Sequence, residues 1–210
     1  MNIALIGFGE LGKQIIALLL AETKPDRQCY FDDIAYGEGR NGALPFSAYM
    51  QEEYNDFDFY IGLGYKHLAT RVKIADHLLS LDRRLPTYIA PGSFVSHSAI
   101  LGQGTILYPM CNVDKDVRLG KAVLVNNSVT ISHNTVVGDS SYLSPGVTIS
   151  GFVTIGSKTF VGTGTVIANN VTIGSNVIIG IGSVITRDIP DNTSVIGNPM
   201  KILKTRLRLV

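Results

Sequence analysis

Four histidines, at positions 67, 77, 97 and 133, are the side chains in this sequence best suited to carry a proton near neutral pH. Two of them belong to a longer pattern. His97, Lys115, His133, Gly151, Asn169 and Arg187 recur at eighteen-residue steps, each two residues beyond an aliphatic position. A column holding a base, cations, an amide and a residue with no side chain has the means to deprotonate a nucleophile and to hold a developing oxyanion. A second signature lies near the start, in Gly7-Phe8-Gly9-Glu10-Leu11-Gly12-Lys13, with Asp32-Asp33 following. Glycines between a strand and a helix admit a close phosphate, and an acid about 20 residues on commonly holds a ribose or base. The competing readings are a tight strand–helix packing turn and ordinary strand-end acids. His67 and His77 fall on an expected helix and are expected at the surface.

The elements that must position the histidine column follow from one period. From Ile89 to Ile185 an aliphatic residue stands at every sixth position without a slip. Neither the 3.6 of an amphipathic helix nor the alternation of a half-buried strand fits a period of six. It is the mark of a parallel β-helix, in which three short strand-and-turn units complete a coil and successive coils stack. Four residues after each aliphatic stands a small or β-branched residue, from Thr105 and Cys111 through to Val177 and Ser183, which suits closely stacked strands. Residues eighteen apart then share one corner of the prism, and the unbroken run leaves no inserted loop. Column residues point away from the core.

The N-terminal part obeys a different grammar. Asn2 to Ile6 reads as a strand, Leu11 to Ala21 as an apolar helix, Gln28 to Phe31 as the next strand and Phe57 to Ile61 as a third. Gly62-Leu63-Gly64-Tyr65 then leads into a helix from about Lys66 to Leu81, with Leu68, Val72, Ala75 and Leu79 expected on one face. Pro86, Pro91 and Gly92 cluster where the period changes. The expected fold is an α/β Rossmann-like nucleotide-binding domain over residues 1–85, an all-β parallel β-helix over 86–188, and a closing loop with a basic tail over 189–210. A dehydrogenase reading of the glycine loop lacks any suitable catalytic domain downstream, so a ligand delivered to the β-helix is the better idea.

The formal net charge of +1 gives no reason to expect a nucleic-acid partner, and Lys201, Lys204, Arg206 and Arg208 form the one basic run. Cys29 and Cys111 are the only cysteines, far apart, and suit a reducing compartment rather than a disulfide or metal site. No signal peptide and no apolar run near membrane-spanning length is visible, so a soluble, cytoplasmic protein is expected.

Taken together, the glycine loop with Lys13, the Phe31-Asp32-Asp33 strand end, Ile61-Gly62 followed by Arg71, Ile89-Ala90-Pro91, the hexapeptides, Ile131-Ser132-His133-Asn134 and Gly197-Asn198-Pro199-Met200-Lys201 resemble the left-handed β-helix acyltransferases of the hexapeptide type. The likeness is to the branch with an N-terminal nucleotide-binding domain, which makes N-acetylbacillosamine and N-acetylperosamine and lies near the sialic acid O-acetyltransferases. It implies left-handed coils, a homotrimer with sites between neighbouring β-helices, acetyl-CoA as co-substrate, no metal, and a nucleotide-linked amino-dideoxy sugar as acceptor. It implies His133 as catalytic base with Asn134 beside it, where the bacillosamine enzyme has Glu. It further implies a Gly151 N–H for the thioester oxygen, with Phe152, Asn169, Gly197, Pro199 and Lys201 lining the coenzyme channel. Gly7, Gly9, Gly12, Lys13, Asp32, Asp33, Gly62 and Tyr65 are implied for the sugar nucleotide. Several relatives space the loop glycines as GxxGxG. Glu10 replaces the middle one here, and a carboxylate repels a diphosphate, so Glu10 is expected to point away or to meet the sugar or base. O-acetylation of sialic acid, a zinc carbonic anhydrase and a non-catalytic scaffold are the competing functions; the second lacks the histidine spacing.

Overall fold

The computed structural model describes residues 1–208. The chain divides into two compact units, residues 1–86 and 87–210.

The first unit is built on a parallel sheet of four strands among the described residues, β1 (Asn2–Ile6), β2 (Arg27–Phe31), β3 (Ala43–Leu44) and β4 (Phe57–Ile61), in the order β3-β2-β1-β4. Ile3 to Ile6 are fully buried, the continuous apolar run expected of a strand covered on both faces. Helix α1 (Glu10–Glu22) buries Ile15, Ile16 and Leu19, and α2 (Asp33–Gly37) is a short turn after β2. The sequence β1, β2 runs outward on one side while β4 returns to the other. Their ends therefore lie together, with Ile6 paired to Ile61 and the two motifs Ile6-Gly7-Phe8-Gly9 and Ile61-Gly62-Leu63-Gly64 side by side.

One sequence expectation is corrected here. The last helix, α3 (Leu68–Ser80), buries Leu68, Arg71, Ile74, Ala75 and Leu78 rather than a stripe through Val72 and Leu79. Arg71 belongs to the buried face because its guanidinium donates to the carbonyls of Ile61 at 2.9 Å and Leu63 at 2.6 Å, tying the second glycine loop to the helix. His77, expected at the surface, is partly covered, with its Nδ1 2.5 Å from the Tyr49 hydroxyl.

The second unit is a left-handed parallel β-helix. From Tyr88 to Ile185 its two-residue strands fall into three sheets among the described residues, with partners eighteen apart, as in Thr130↔Thr148 and Ile131↔Ile149. The aliphatic positions from Leu107 onward and the small residues Thr105, Thr135, Ser141, Thr159 and Ser183 are all buried. Each enclosed Val or Ile contributes roughly 1.5–3 kcal/mol, and the buried hydroxyls are satisfied by backbone carbonyls, Thr159 Oγ1 by Gly174 of the next coil at 2.8 Å and Ser183 Oγ by Gly180 of its own at 2.7 Å. The first coil departs from the expected register of burial. Ile89 is 42% exposed, and Val95 and Leu101 are only partly covered.

At the far end Ser194–Ile196 pairs in parallel with the strand Ile178–Ile179, and Lys201–Ile202 folds back against it in antiparallel fashion. This hairpin sets Met200, 6% exposed, into the core cluster. The tail continues along the last coil, where Arg206 donates to Asn176 Oδ1 at 2.7 Å.

Candidate active site

The corner that follows the sheet of Thr130–Ile131, Thr148–Ile149, Val166–Ile167 and Val184–Ile185 carries His133, Gly151, Asn169 and Arg187 in successive coils. The corner is made by a residue in the left-handed region: Asp116, Asn134, Phe152 and Asn170 all have φ between 58° and 62°. The N–H groups of Asn134, Phe152 and Asn170 bond to the column residue of the coil before, Lys115 O, His133 O and Gly151 O, each at 3.1 Å, while Asp116 N donates to Ser98 Oγ at 2.9 Å. His133 is thus fixed from two sides by the backbone before its side chain makes any contact.

The imidazole lies on Gly151. A Cβ built there would stand 2.6 Å from His133 Cε1 and 2.9 Å from Nε2, so only glycine leaves room for the ring. Asn134 Oδ1 is 3.1 Å from His133 Nδ1. An amide oxygen can only accept, so this contact puts the proton on Nδ1 and leaves Nε2 with a free lone pair. Phe152 meets the imidazole edge to face, with centroids 5.0 Å apart and an interplanar angle of 84°. The Gly151 N–H is not free: it donates to Asn169 Oδ1 at 2.8 Å. His97, two coils earlier, is exposed.

Gly197 joins the same side of the coil, accepting from Val184 N at 3.2 Å and donating to Ser183 Oγ at 3.1 Å, while Pro199 and Lys201 are exposed on the closing hairpin. Neither cysteine offers an acyl carrier. Both are buried, and burial pushes the Cys29 thiol up to about 12 and that of Cys111 upward.

In the first unit the loop glycines divide by role. A Cβ on Gly12 would stand 2.2 Å from the Gly7 carbonyl oxygen, and one on Gly62 would stand 2.4 Å from the same atom. Gly7 has φ +89 and meets Leu63. These three close the packing of β1, β4 and α1. Gly9 and Gly64, which precede α1 and the short Tyr65–His67 turn, have no atom within 4 Å of an added Cβ. Gly9 lines an open pocket with Phe8, Glu10, Lys13, Asp32, Ile34, Ala35 and Arg40. Glu10 pairs with Lys13 at 2.5 Å, and that bond holds its carboxyl below the usual range. Asp32 accepts from Phe8 N at 2.7 Å, Ile34 N at 3.0 Å and Ala35 N at 2.9 Å, which makes it the N-cap of α2 and a strap on the glycine loop. Asp33 likewise accepts from Phe46 N at 2.8 Å. Phe8, stacked on Tyr30 with centroids 4.0 Å apart, and Arg40 line this pocket without having been singled out from sequence. Phe8 stood inside the glycine motif, but nothing in its spacing marked it, and Arg40 had no signal at all.

Among the described residues no helix is long and apolar enough to cross a membrane, and no group of three His, Cys, Asp or Glu is placed to hold a metal ion.

The description of the bacterial transferase hexapeptide family (six repeats) matches residues 152–187. The acetyltransferase domain of PglB from Neisseria gonorrhoeae FA1090 is 31% identical over 96% of this chain and 99% of that one, with a TM-score of 0.87. The same domain in complex with acetyl coenzyme A gives 32% over 96% and 98%, with a TM-score of 0.86. PerB from Caulobacter crescentus, solved with CoA and GDP-perosamine, is 26% identical over 97% of each chain, with a TM-score of 0.87. Among curated proteins no match is found. Likeness to the PglB domain along the full length, at this identity and with the hexapeptide match inside it, means that the chain belongs to the hexapeptide-repeat family of β-helical acetyltransferases.

Proposed function

We propose that the protein transfers the acetyl group of acetyl-CoA to the amino group of a nucleotide-linked amino-dideoxy sugar, of the 4-amino-4,6-dideoxyhexose type, for surface glycan synthesis. One observation carries the reading: the His133 imidazole rests on the Gly151 backbone with Nδ1 tied to Asn134 and Nε2 without a hydrogen-bond partner among the described residues. Support comes from relatives solved with acetyl coenzyme A and with CoA and GDP-perosamine.

In this reading Nε2 of His133 takes a proton from the amine as its nitrogen attacks the thioester carbonyl carbon. The C–N bond forms, the oxyanion is held by the Gly151 N–H, the C–S bond breaks, and the sulfur leaves with the proton His133 returns. Transfer is direct, since both cysteines are buried and no Cys or Ser stands in the His133 column. Phe152, Asn169 and the hairpin bearing Gly197, Pro199 and Lys201 line the acetyl-CoA channel. The first unit is a Rossmann-like holder of the nucleotide. Its open Gly9 and the N-terminus of α1 face the diphosphate with Lys13, while Gly62 and Tyr65 flank it, at the switch point where the strand order reverses. Asp32 and Asp33 shape that pocket through their backbone bonds. The working form is a cytoplasmic homotrimer.

The test is release of free thiol from acetyl-CoA with a panel of UDP-, dTDP- and GDP-linked amino sugars and with sialic acids. One amino sugar should be turned over through a ternary complex, and His133→Ala should lower kcat about 10²- to 10⁴-fold. Turnover only with a hydroxyl acceptor, ping-pong kinetics, or full activity in His133→Ala would defeat the reading.

A further inference from the structure

The N–H assigned above to the oxyanion already has a partner. Gly151 is buried, and its N–H donates to Asn169 Oδ1 at 2.8 Å from the next coil. Bonds of this form recur at the following corner, where they staple coil to coil: Lys121 N to Asp139 Oδ1 at 2.8 Å, Ser157 N to Ser175 Oγ at 3.1 Å, and Ser175 N to Asp191 Oδ1 at 2.7 Å. Those acceptors are carboxylates and hydroxyls. At the His133 corner the acceptor is a neutral amide carbonyl, the side-chain group closest in shape and polarity to a thioester carbonyl. Asn169 is also exposed, so its side chain can turn into solvent by giving up this bond. A buried donor left without an acceptor is costly, and an exchangeable carbonyl spares Gly151 that cost between turnovers.

Resting on the acetyl-transfer reading, we propose that Asn169 is a stand-in for the acyl donor. Its amide C=O occupies the Gly151 N–H until the thioester C=O of acetyl-CoA displaces it, and it returns when the acyl group has left. Asn169 is therefore a positioning residue acting through Gly151. Acetyl-CoA must compete with it for the donor, whereas CoA, with no acyl carbonyl, does not. The side chain thus sets how strongly the site prefers loaded coenzyme to spent coenzyme.

Calorimetric titration of the full chain with acetyl-CoA and, separately, with CoA decides the matter. Asn169→Ala removes the competitor and should raise the acetyl-CoA to CoA affinity ratio about 3- to 10-fold, mainly through acetyl-CoA. Asn169→Asp installs a charged acceptor on the same N–H and should lower the ratio by at least as much. A ratio unchanged in both variants, or equal loss of both affinities in Asn169→Ala, overturns the proposal; the second result would make Asn169 a coenzyme ligand. Wild-type protein that binds neither molecule would overturn the acetyl-transfer reading along with it. Binding with the expected ratios but no acetylated amino sugar would remove only the acceptor from that reading.

Discussion

Phe152 holds a backbone conformation that its side chain disfavours. At φ +58 it occupies a corner where the coils on either side place Asn134 and Asn170, and the residue is 55% exposed. Left-handed geometry costs a bulky L-residue roughly 1–2 kcal/mol, and core burial does not offset it. The ring's contact is with His133. Phe152→Asn should therefore raise unfolding stability by about 1 kcal/mol while lowering kcat/KM roughly 3- to 10-fold, the worth of an aromatic contact at the base. Denaturant unfolding and steady-state rates on one preparation check both signs; a variant that loses stability would show that the ring is structural. At this scale the eighteen-residue step was enough to set Gly151 against His133, with Asn134 its neighbour in the chain. It did not reach the Asn169 bond to Gly151 or the Tyr49 bond to His77, which depend on side-chain rotation that no spacing encodes.

The glycine loop after β1 shows what an element adds. Read as a string, Gly7, Gly9 and Gly12 are one motif, but in the folded unit they do different work. Gly12→Ala sets a Cβ against the Gly7 carbonyl oxygen, backbone against backbone, and should cost about 2–4 kcal/mol. Gly9→Ala meets no protein atom, and its effect on stability should stay within about 1 kcal/mol. Its methyl enters the pocket, so KM for the nucleotide sugar should rise at least severalfold with acetyl-CoA KM unmoved. A Gly9 variant with an unaltered sugar-nucleotide KM would remove the pocket from the acceptor site. Three strands and two helices of this unit were legible to within a residue or two from apolar runs and glycines, whereas α2 and β3, too short to show a period, were not. The buried face of α3 was not, because a fully buried Arg71 breaks the rule that charge marks the solvent side.

Across the whole molecule, the period of six made the solenoid legible before any coordinate was known, since a period shared by stacked coils has few other causes. It could not give handedness, which spacing leaves open. Nor did it show how the stack ends, because Met200 lies outside the repeat. A solenoid's last coil needs a cap, and Met200 supplies its apolar part from the closing hairpin. Met200→Ala should lower unfolding free energy by about 2–4 kcal/mol. The loss should appear as an earlier denaturation midpoint, with hydrogen exchange speeding up first in the coil of Ile178–Ile189. Exchange that quickens first at the opposite end would show that the hairpin is not the cap.

The eighteen-residue register of the three sheets has a further consequence for change over evolutionary time. Gain or loss of one hexapeptide would turn every later residue by a third of a revolution, carrying a downstream Gly151 away from beneath His133. Gain or loss of a whole coil, placed outside the stretch from His133 to Asn169, would leave the corner as it is. Drift in length is therefore quantised in turns: descendants of this protein can grow taller or shorter by coils and keep their chemistry, but cannot slip by a single repeat within the site.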